Sequence, residues 1–398
     1  MKIIGKQNEA IVYGDNIEDS AIEQIQILCD QAFASGSKIR IMPDVHTGAG
    51  CTIGMTMTIT DKVVPNIVGV DIGCGMYTVC LGKIDIDFEK LDTIVHGIPS
   101  GKNVWEGRQK KFDLTVLNCY RNLKDTKRIA KSIGTLGGGN HFIEIEKTQR
   151  DVKYMIIHTG SRNLGKQVAN YYQDMAIDLH KGKQEYFQKR DEMIAQYKAE
   201  GRRKELQQAL KTIVWTQKKL EIPEELCFLY GEYMEQYLHD IAICQQFAKE
   251  NRELIAQKIM EAMSWEPQEV FHTVHNYIDV KENIVRKGAI SAKKGEKVLI
   301  PINMKDGSIL AIGKGNAEWN YSAPHGAGRL YSRSQAKEQF TLQQYQKEME
   351  GVYSTCVTEK TLDESPMAYK KLEDIVNAVQ QTVDVVEVMK PIYNFKAE

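Results

Sequence analysis

Glycine is concentrated in three blocks of this sequence, and these blocks constrain the fold more than any other feature. They span residues 41–82, 134–165 and 288–328, and in each block the glycines stand among β-branched residues. This texture is typical of strands joined by tight turns, in which the backbone comes close to another group. Helical stretches separate the three blocks in the sequence. We interpret the three glycine-rich blocks as parts of one composite site.

The rest of the chain carries helical periodicity. Residues 181–220 hold eleven Lys or Arg against five Asp or Glu and no Pro, which favours one or two solvated helices. We therefore expect an α+β protein: a single large domain over residues 1–398, with a β-sheet core flanked by helices and a basic helical insertion at about 181–220. The pattern also predicts helices over 17–33, 333–351 and 366–390 and a strand over 391–396.

Composition excludes several classes of protein. The longest apolar runs, such as 63–70 and 153–157, fall far short of the roughly 20 residues that a membrane span needs. The N-terminus turns polar before a signal-peptide core can form, so we expect a cytoplasmic location. The eight cysteines lack disulfide or CxxC spacing and are expected to be reduced thiols. A net charge of -1 means that any positive potential for nucleic acid has to be local.

Candidate metal ligands occur in the glycine-rich blocks. Asp71 and Cys74 place a hard and a soft ligand three residues apart in a turn, although this pair alone is equally typical of a buried Cys beside a capping Asp. His141, His158 and His275 lie in similar glycine-rich or strand-end contexts, which makes a metal cluster the better interpretation. A thiolate, a carboxylate and imidazoles suit Zn, Mn or Fe rather than Mg or Ca.

These candidates belong to six short blocks that are spread over most of the chain. The blocks are Met42–His46, Asp71–Met76, Gly134–Glu144, His158–Arg162, His275–Tyr277 and His325–Arg329. In order and spacing they resemble the signature blocks of RtcB RNA-splicing ligases. Six ordered blocks are far more specific than any single one.

The resemblance implies an activity and its cofactors. It implies a GTP- and manganese-dependent ligase that joins RNA ends carrying a 2′,3′-cyclic phosphate or 3′-phosphate to 5′-hydroxyl ends, in RNA repair or tRNA splicing. Two Mn²⁺ ions would be bridged by Cys74, whose thiolate can hold two cations. By the same resemblance, one ion would also be held by His141 and the other by Asp71, His158 and His275.

His325 resembles the nucleophile of that family, which attacks the α-phosphorus of GTP and carries GMP. Taken alone, a histidine after a proline is more simply interpreted as a turn residue. The resemblance also implies that Glu144 and Lys396 read the guanine edge and that Tyr369 stacks on the base. The implied nucleotide-binding residues are Asn140, His141, Phe142, Ile143, Glu144, His275, Asn276, Pro301, Ile302, Asn303, Met304, Ser308, His325, Gly326, Ala327, Gly328, Tyr369 and Lys396.

The sequence departs from the family pattern beside the nucleotide. Ile302 and Asn303 stand where the family has small residues, and the chain ends Phe395-Lys396-Ala397-Glu398 rather than on Lys-Gly. These differences bear on GTP affinity and selectivity and indicate a divergent paralogue.

Other interpretations stay open from the residues alone. A dinuclear-metal phosphodiesterase acting on RNA ends needs the same ligands but not His325, and an RNA-binding or structural metal protein is a further alternative. A lysine-adenylating ligase fails, because Lys305-Asp306-Gly307 lacks the intervening residue of Lys-x-Asp-Gly. The 181–220 segment could instead be an RNA-contacting arm. Candidate RNA contacts, of which we favour Arg162 and Arg329, are Arg162, Lys166, Asn251, Arg252, Arg286, Lys287, Arg329 and Arg333.

Overall fold

The glycine-rich blocks fold into strands in the computed structural model, which describes residues 1–14, 17–202, 205–215 and 217–396. Strands and helices are segregated rather than alternating regularly, as expected for an α+β protein. The strands are β1 (Lys2–Ile4), β2 (Glu9–Val12), β3 (Ile39–His46), β4 (Ile53–Thr58), β5 (Lys62–Val63), β6 (Gly75–Gly82), β7 (Phe142–Lys147), β8 (Lys153–Thr159), β9 (Leu229–Tyr230), β10 (Glu269–Val274), β11 (Asn276–Asp279), β12 (Ile284–Lys287), β13 (Ala289–Ser291), β14 (Lys297–Asn303), β15 (Gly307–Gly313), β16 (Ser322–Pro324) and β17 (Val383–Lys396).

The helices lie before, between and after the glycine-rich blocks. They are α1 (Asp19–Cys29), α2 (Phe88–His96), α3 (Thr126–Lys131), α4 (Arg162–His180), α5 (Lys183–Ala199), α6 (Leu206–Leu210), α7 (Gly231–Met263), α8 (Arg333–Gln339), α9 (Leu342–Glu348) and α10 (Leu372–Val379). The helical prediction for 181–220 is confirmed over α5 and α6 and is wrong for 211–215 and 217–220, which are not helical. Residues 203, 204 and 216 lie outside the described residues.

Two sheets form the core. One has the strand order β1-β2-β3-β4-β12-β11 and the other β10-β6-β8-β7-β17-β15-β14. In the seven-stranded sheet the two edge strands approach each other, because the amide of Leu299 on β14 donates to Oγ1 of Thr273 on β10 at 3.1 Å. Apolar side chains from β6, β8, β14, β15 and β17, including Met76, Ile156 and Met389, pack inside this curled sheet. The expected sheet core in a single domain is confirmed.

The long helix α7 joins the two sheets. Its buried face includes Ile241 and Phe247, which pack in the core under the six-stranded sheet, and Ile255 and Ile259, which pack against the outer face of the seven-stranded sheet. The buried positions of α7 as a whole recur every three or four residues, which is typical of an amphipathic helix. The helix therefore fixes the position of one sheet relative to the other.

The prediction of a helix over 366–390 is wrong beyond α10. β17 begins at Val383 and pairs with β15 on one side and β7 on the other. The β-branched Val383, Val385, Val386 and Val388 favour an extended backbone, and the pairing partners lie far away in sequence. The predicted strand over 391–396 is the continuation of this strand.

Candidate metal centre and nucleotide site

Five candidate metal ligands come together where strands of the larger sheet begin or end. Cys74 directly precedes β6, His141 precedes β7, His158 lies near the end of β8, and His275 follows β10. The turn before Cys74 requires glycine, since Gly73 has φ +73° and a Cβ there would lie 2.9 Å from the Cβ of Ala248 on α7. The backbone of this turn is thus pressed against the long helix.

The ligand atoms form two groups that share one sulfur. Sγ of Cys74 lies 3.3 Å from Nε2 of His158 and 3.6 Å from Nε2 of His141. Nε2 of His158 lies 3.4 Å from Nε2 of His275, and Nε2 of His141 lies 3.0 Å from Oδ2 of Asp71. The groups are therefore Cys74 with His158 and His275, and Cys74 with His141 and Asp71. The resemblance assigns Asp71 to the same ion as His158 and His275, and this assignment stays a prediction.

Hydrogen bonds on the far side of two imidazoles select the tautomer that a metal needs. Nδ1 of His141 donates to the carbonyl of Leu136 at 2.9 Å, and Nδ1 of His158 donates to the carbonyl of Asn140 at 3.0 Å. Each ring therefore presents the lone pair of Nε2 towards Cys74.

Burial keeps two imidazoles of the cluster uncharged, which is the form that binds a cation. Burial lowers the pKa values of His158 and His275 well below the usual range, so both rings are neutral. Burial and the Asp71 carboxylate raise the pKa of the Cys74 thiol well above its usual range. Burial also raises the pKa of Asp71, but the hydrogen bond and charge of His141 outweigh it and the pKa is lowered. A cation would stabilise the thiolate and occupy the space between facing nitrogen lone pairs.

The donor set fits divalent metal ions. Sulfur, three imidazole nitrogens and one carboxylate are the ligands of Mn, Fe or Zn, whereas Mg and Ca prefer oxygen. In addition, Nδ1 of His275 is buried without a hydrogen-bond partner among the described residues. Cys74 is common to both candidate ligand groups.

Two of the candidate RNA contacts instead hold the loops of this cluster. Arg252 is buried on α7 and donates from Nη1 to the carbonyls of Gly73 and Thr159, both at 2.7 Å. Asn251 is also buried, and its side-chain oxygen accepts from the amide of Gly134 at 2.7 Å. Neither side chain faces solvent, so their interpretation as RNA contacts is wrong.

Arg286 and Lys287 are likewise buried. Arg286 donates to Oγ of Ser322 at 2.8 Å, and the ammonium of Lys287 lies among backbone carbonyls, including that of Ala49 at 2.6 Å. Both therefore bind protein rather than RNA. The candidates with access to solvent are the exposed Lys166 and Arg333 and the partly buried Arg162 and Arg329.

His325 lies beside the metal-ligand cluster and is held by a carboxylate that sequence reasoning missed. Nδ1 of His325 lies 2.6 Å from Oδ2 of Asp44, and the same oxygen accepts the backbone amide of His325 at 3.1 Å. The ring centroid of His325 lies 5.0 Å from that of His275. Gly328 has φ +73° and a Cβ there would lie 3.1 Å from the carbonyl oxygen of Asp44, which is why this loop can approach β3 so closely. The signal for Asp44 is its place in β3 two residues before His46, within the block Met42–His46.

The implied guanine-reading residues meet on neighbouring strands. In the register of β7 and β17, Phe142 lies opposite Lys396, and Glu144 lies opposite Asn394. The ammonium of Lys396 lies 5.7 Å from the centroid of the Phe142 ring, which is 5.1 Å from the His158 ring. Burial raises the pKa of Glu144 to about 8, and its Oε1 has no hydrogen-bond partner among the described residues. These polar groups adjoin the metal-ligand cluster.

Other implied nucleotide contacts are engaged elsewhere. Ser308 is buried and its hydroxyl donates to Oε1 of Glu146 at 2.7 Å. Ile302 packs in the core around β14 and β15, and Met304 packs against Tyr345. Asn303 caps its own turn, because its side-chain oxygen accepts the amides of Lys305 and Asp306. The side chains of Ile302, Asn303, Met304 and Ser308 thus all have protein partners.

The remaining implied contacts divide into loop and core positions. Asn276 uses its side-chain oxygen to accept the amide of Gly288 at 3.0 Å. Asn140 accepts from His158 through its backbone carbonyl. The side chain of Ile143 is buried in the core against α2 and α7. Gly326 and Ala327 follow the nucleophile candidate, and Pro301 places its carbonyl 3.2 Å from where a Cβ on Gly326 would lie.

The sequence is similar to those of known proteins over most of its length. A sequence model of the family described as "tRNA-splicing ligase RtcB" matches residues 31–119 and 118–397. The chain is 30% identical to the RNA-splicing ligase RtcB of Escherichia coli strain K12, over 89% of this chain and 88% of that protein. The chain belongs to the RtcB family. It is also 26% identical to the tRNA-splicing ligase RtcB of Aeropyrum pernix, over 92% of this chain and 90% of that protein.

RtcB family membership accounts for the six ordered blocks, since each lies at the site just described. The extent of an RtcB-like ligase domain over residues 1–398, and the status of 181–220 as an insertion in it, stay predictions. Among the described residues, no helix is long and apolar enough to cross a membrane. A second residue that sequence reasoning missed, Glu364, lies between Tyr369 and Lys396.

Proposed function

We propose that this RtcB-family chain is a GTP- and manganese-dependent RNA ligase, a 3′-phosphate/5′-hydroxyl nucleic acid ligase. It joins RNA ends that carry a 2′,3′-cyclic phosphate or 3′-phosphate to 5′-hydroxyl ends through GMP bonded to His325, in RNA repair or tRNA splicing. The observation that carries the proposal is the contact between His325 and Asp44 at 2.6 Å beside the metal-ligand cluster.

The contact with Asp44 prepares His325 as a nucleophile. A buried carboxylate that accepts from Nδ1 fixes the tautomer in which Nε2 carries a lone pair. Nε2 attacks the α-phosphorus of GTP, a nitrogen–phosphorus bond forms, and the bond to the β-phosphate oxygen breaks to release pyrophosphate. The Asp44 carboxylate stabilises the positive charge that develops on the ring.

The next two steps transfer the activated group. Where the RNA end is a 2′,3′-cyclic phosphate, water first adds to the phosphorus and the bond to the 2′ oxygen breaks, which leaves a 2′-hydroxyl and a 3′-phosphate. An oxygen of the RNA 3′-phosphate attacks the phosphorus bonded to His325, and the nitrogen–phosphorus bond breaks. The 5′-hydroxyl of the second RNA end then attacks the RNA phosphorus and GMP leaves. Arg162 and Arg329 each lie four residues after a site histidine, and Lys166 and Arg333 are the exposed cations nearby in sequence, so these four are the proposed phosphate contacts.

Two Mn²⁺ ions would be held by the residues of the two ligand groups. The residues that would hold them are Asp71, Cys74, His141, His158 and His275. Bound there, the ions would supply Lewis-acid stabilisation of charge on phosphoryl oxygens. The carbonyls of Leu136 and Asn140 orient two of the imidazoles, and Arg252 fixes the turn that carries Cys74.

The nucleotide would lie against the strands next to the cluster. Glu144 would accept from the guanine N1 and N2 groups, Lys396 would donate to O6, and Tyr369 would stack on the base. The other proposed contacts come from the loops around His325 and from the implied positions on β7, β11 and the 301–308 turn. Because the side chains of Ile302, Asn303 and Met304 are committed elsewhere, this turn would contribute backbone groups.

Mass spectrometry distinguishes this proposal from a dinuclear-metal phosphodiesterase. After incubation with GTP and Mn²⁺, a ligase gives a peptide in which GMP is bonded to His325. The same reaction with Mg²⁺ serves as the control for the metal, and His325→Ala serves as the control for the site. A protein that cleaves 2′,3′-cyclic phosphate RNA ends but forms no adduct with GTP would establish the phosphodiesterase.

A further inference from the structure

Glu364 is a buried carboxylate with four polar partners next to the proposed nucleotide site. Its Oε2 accepts the hydroxyl of Tyr369 at 2.6 Å and the ammonium of Lys396 at 2.7 Å. Its Oε1 lies 2.8 Å from Nη2 of Arg333 and 3.4 Å from Nη1 of Arg329. The side chain is 3% exposed, so these contacts are made away from water.

These partners come from three separate parts of the chain. Lys396 ends β17, Tyr369 follows the short helical turn 366–368, and Arg329 lies on the loop that carries His325. Arg329 also reaches Tyr369, with Nη1 3.2 Å from the hydroxyl and the guanidinium 5.1 Å from the ring centroid. One carboxylate therefore connects the base pocket to the loop of the nucleophile.

Glu364 is ionised over the whole physiological range. Burial raises the pKa of its carboxyl, but the charges of Lys396 and Arg333 and the hydrogen bonds from Lys396 and Tyr369 lower it to about 2. A buried ammonium without such a partner is costly, so the carboxylate is what allows Lys396 to lie among apolar neighbours next to Phe142.

We infer that Glu364 is the positioning residue for nucleobase selection, which fixes Lys396 and Tyr369 for a purine with a 6-oxo group. The inference rests on the proposed function. An ammonium can only donate, so it matches the oxygen acceptor at position 6 of guanine and opposes the amino group of adenine. Discrimination needs the ammonium in one place, and the contacts of Glu364 hold it there.

Equilibrium binding of GTP and ATP in the presence of Mn²⁺ tests this role without catalysis. Isothermal titration calorimetry uses the His325→Ala protein as parent, in which no covalent transfer occurs. We expect Glu364→Gln in this parent to weaken GTP binding about tenfold more than ATP binding, a difference that corresponds to about 1.4 kcal/mol. Glu359→Gln is the matched control, because Glu359 lies on the same short helical segment and is exposed.

A double variant tests whether Glu364 acts through Lys396. In a Lys396→Met background, Glu364→Gln should no longer change the ratio of GTP to ATP affinity. Glu364→Asp replaces Glu364→Gln if the latter fails to fold. It keeps the charge but moves the carboxylate back by one methylene group, so it should still reduce the ratio of GTP to ATP affinity. Equal weakening for GTP and ATP would show a structural role only and overturn the inference, as would unchanged affinities in every folded variant.

The two proposals fail in different ways. If the wild-type protein forms the GMP adduct on His325 and Glu364→Gln keeps the parent's selectivity, only the role of Glu364 is wrong. If the parent binds no GTP and the wild type forms no adduct, the proposed function is wrong and the inference falls with it.

Discussion

Replacing Asp44 by Asn should slow guanylylation of His325 while leaving the site assembled. Oδ2 of Asp44 accepts both the ring and the backbone amide of His325, whereas its Oδ1 is buried with no partner among the described residues. The amide oxygen of Asn can take the place of Oδ2 and its NH₂ group the place of Oδ1, so the change removes the charge but not the acceptor. The variant therefore isolates the electrostatic contribution of Asp44.

The size of the effect follows from the burial of the pair. A hydrogen bond to a charged group contributes about 1.5–3 kcal/mol, and a barrier higher by about 1.36 kcal/mol slows a reaction tenfold. Because Asp44 is buried, solvent does not screen the contact. We expect the single-turnover rate of adduct formation from radiolabelled GTP to fall about ten- to a hundredfold.

Two controls make the measurement decisive. Asp61→Asn changes an exposed aspartate and should keep the wild-type rate. The Mn²⁺ content of Asp44→Asn, measured by atomic emission, should equal that of the wild type, since Asp44 belongs to neither ligand group. Adduct formation at the wild-type rate in Asp44→Asn would refute the role assigned to this carboxylate.

Three further predictions concern the metal and nucleotide sites. Cys74→Ala should lose bound Mn²⁺ and guanylylation but keep the fold, as judged by metal analysis and circular dichroism. In the wild type, Mg²⁺ should not replace Mn²⁺ in supporting guanylylation. Arg252→Met should weaken Mn²⁺ binding about tenfold in a metal titration, because two carbonyls of the ligand loops lose their donor. Glu144→Gln should raise the melting temperature more at pH 8 than at pH 5. The pKa of Glu144 in the folded protein, about 8, lies above its value in the unfolded chain, so the wild-type protein loses stability as the pH rises towards 8. An equal change at both pH values would contradict this account.

The metal ligands could be predicted because their residue types and contexts are distinctive. Cys74, His141, His158 and His275 follow glycines or end apolar strands, and strand ends on one edge of a sheet meet. The distances between these ligands could not be predicted, since the turn that carries Asp71 and Cys74 packs against α7 at Gly73.

Burial explains most of what the sequence did not reveal. Arg286 and Lys287 have the charge expected of RNA contacts, but only the fold shows that both are surrounded by protein acceptors. Glu364 and Asp44 were missed for the same reason, because a carboxylate acquires its role from partners distant in sequence. The sequence predicts a helix at Val383 where the structure has a strand, because the pairing of this strand with β7 and β15 is also long-range.

The most direct test of the central claim compares two reactions of His325→Ala. With GTP, Mn²⁺ and RNA carrying 3′-phosphate and 5′-hydroxyl ends, the variant should form neither the GMP adduct nor ligated RNA. With RNA whose 3′-phosphate already carries GMP, it should retain sealing, because the remaining step is attack of the 5′-hydroxyl on an activated phosphate. Ligation from GTP by His325→Ala would contradict the account and require another nucleophile.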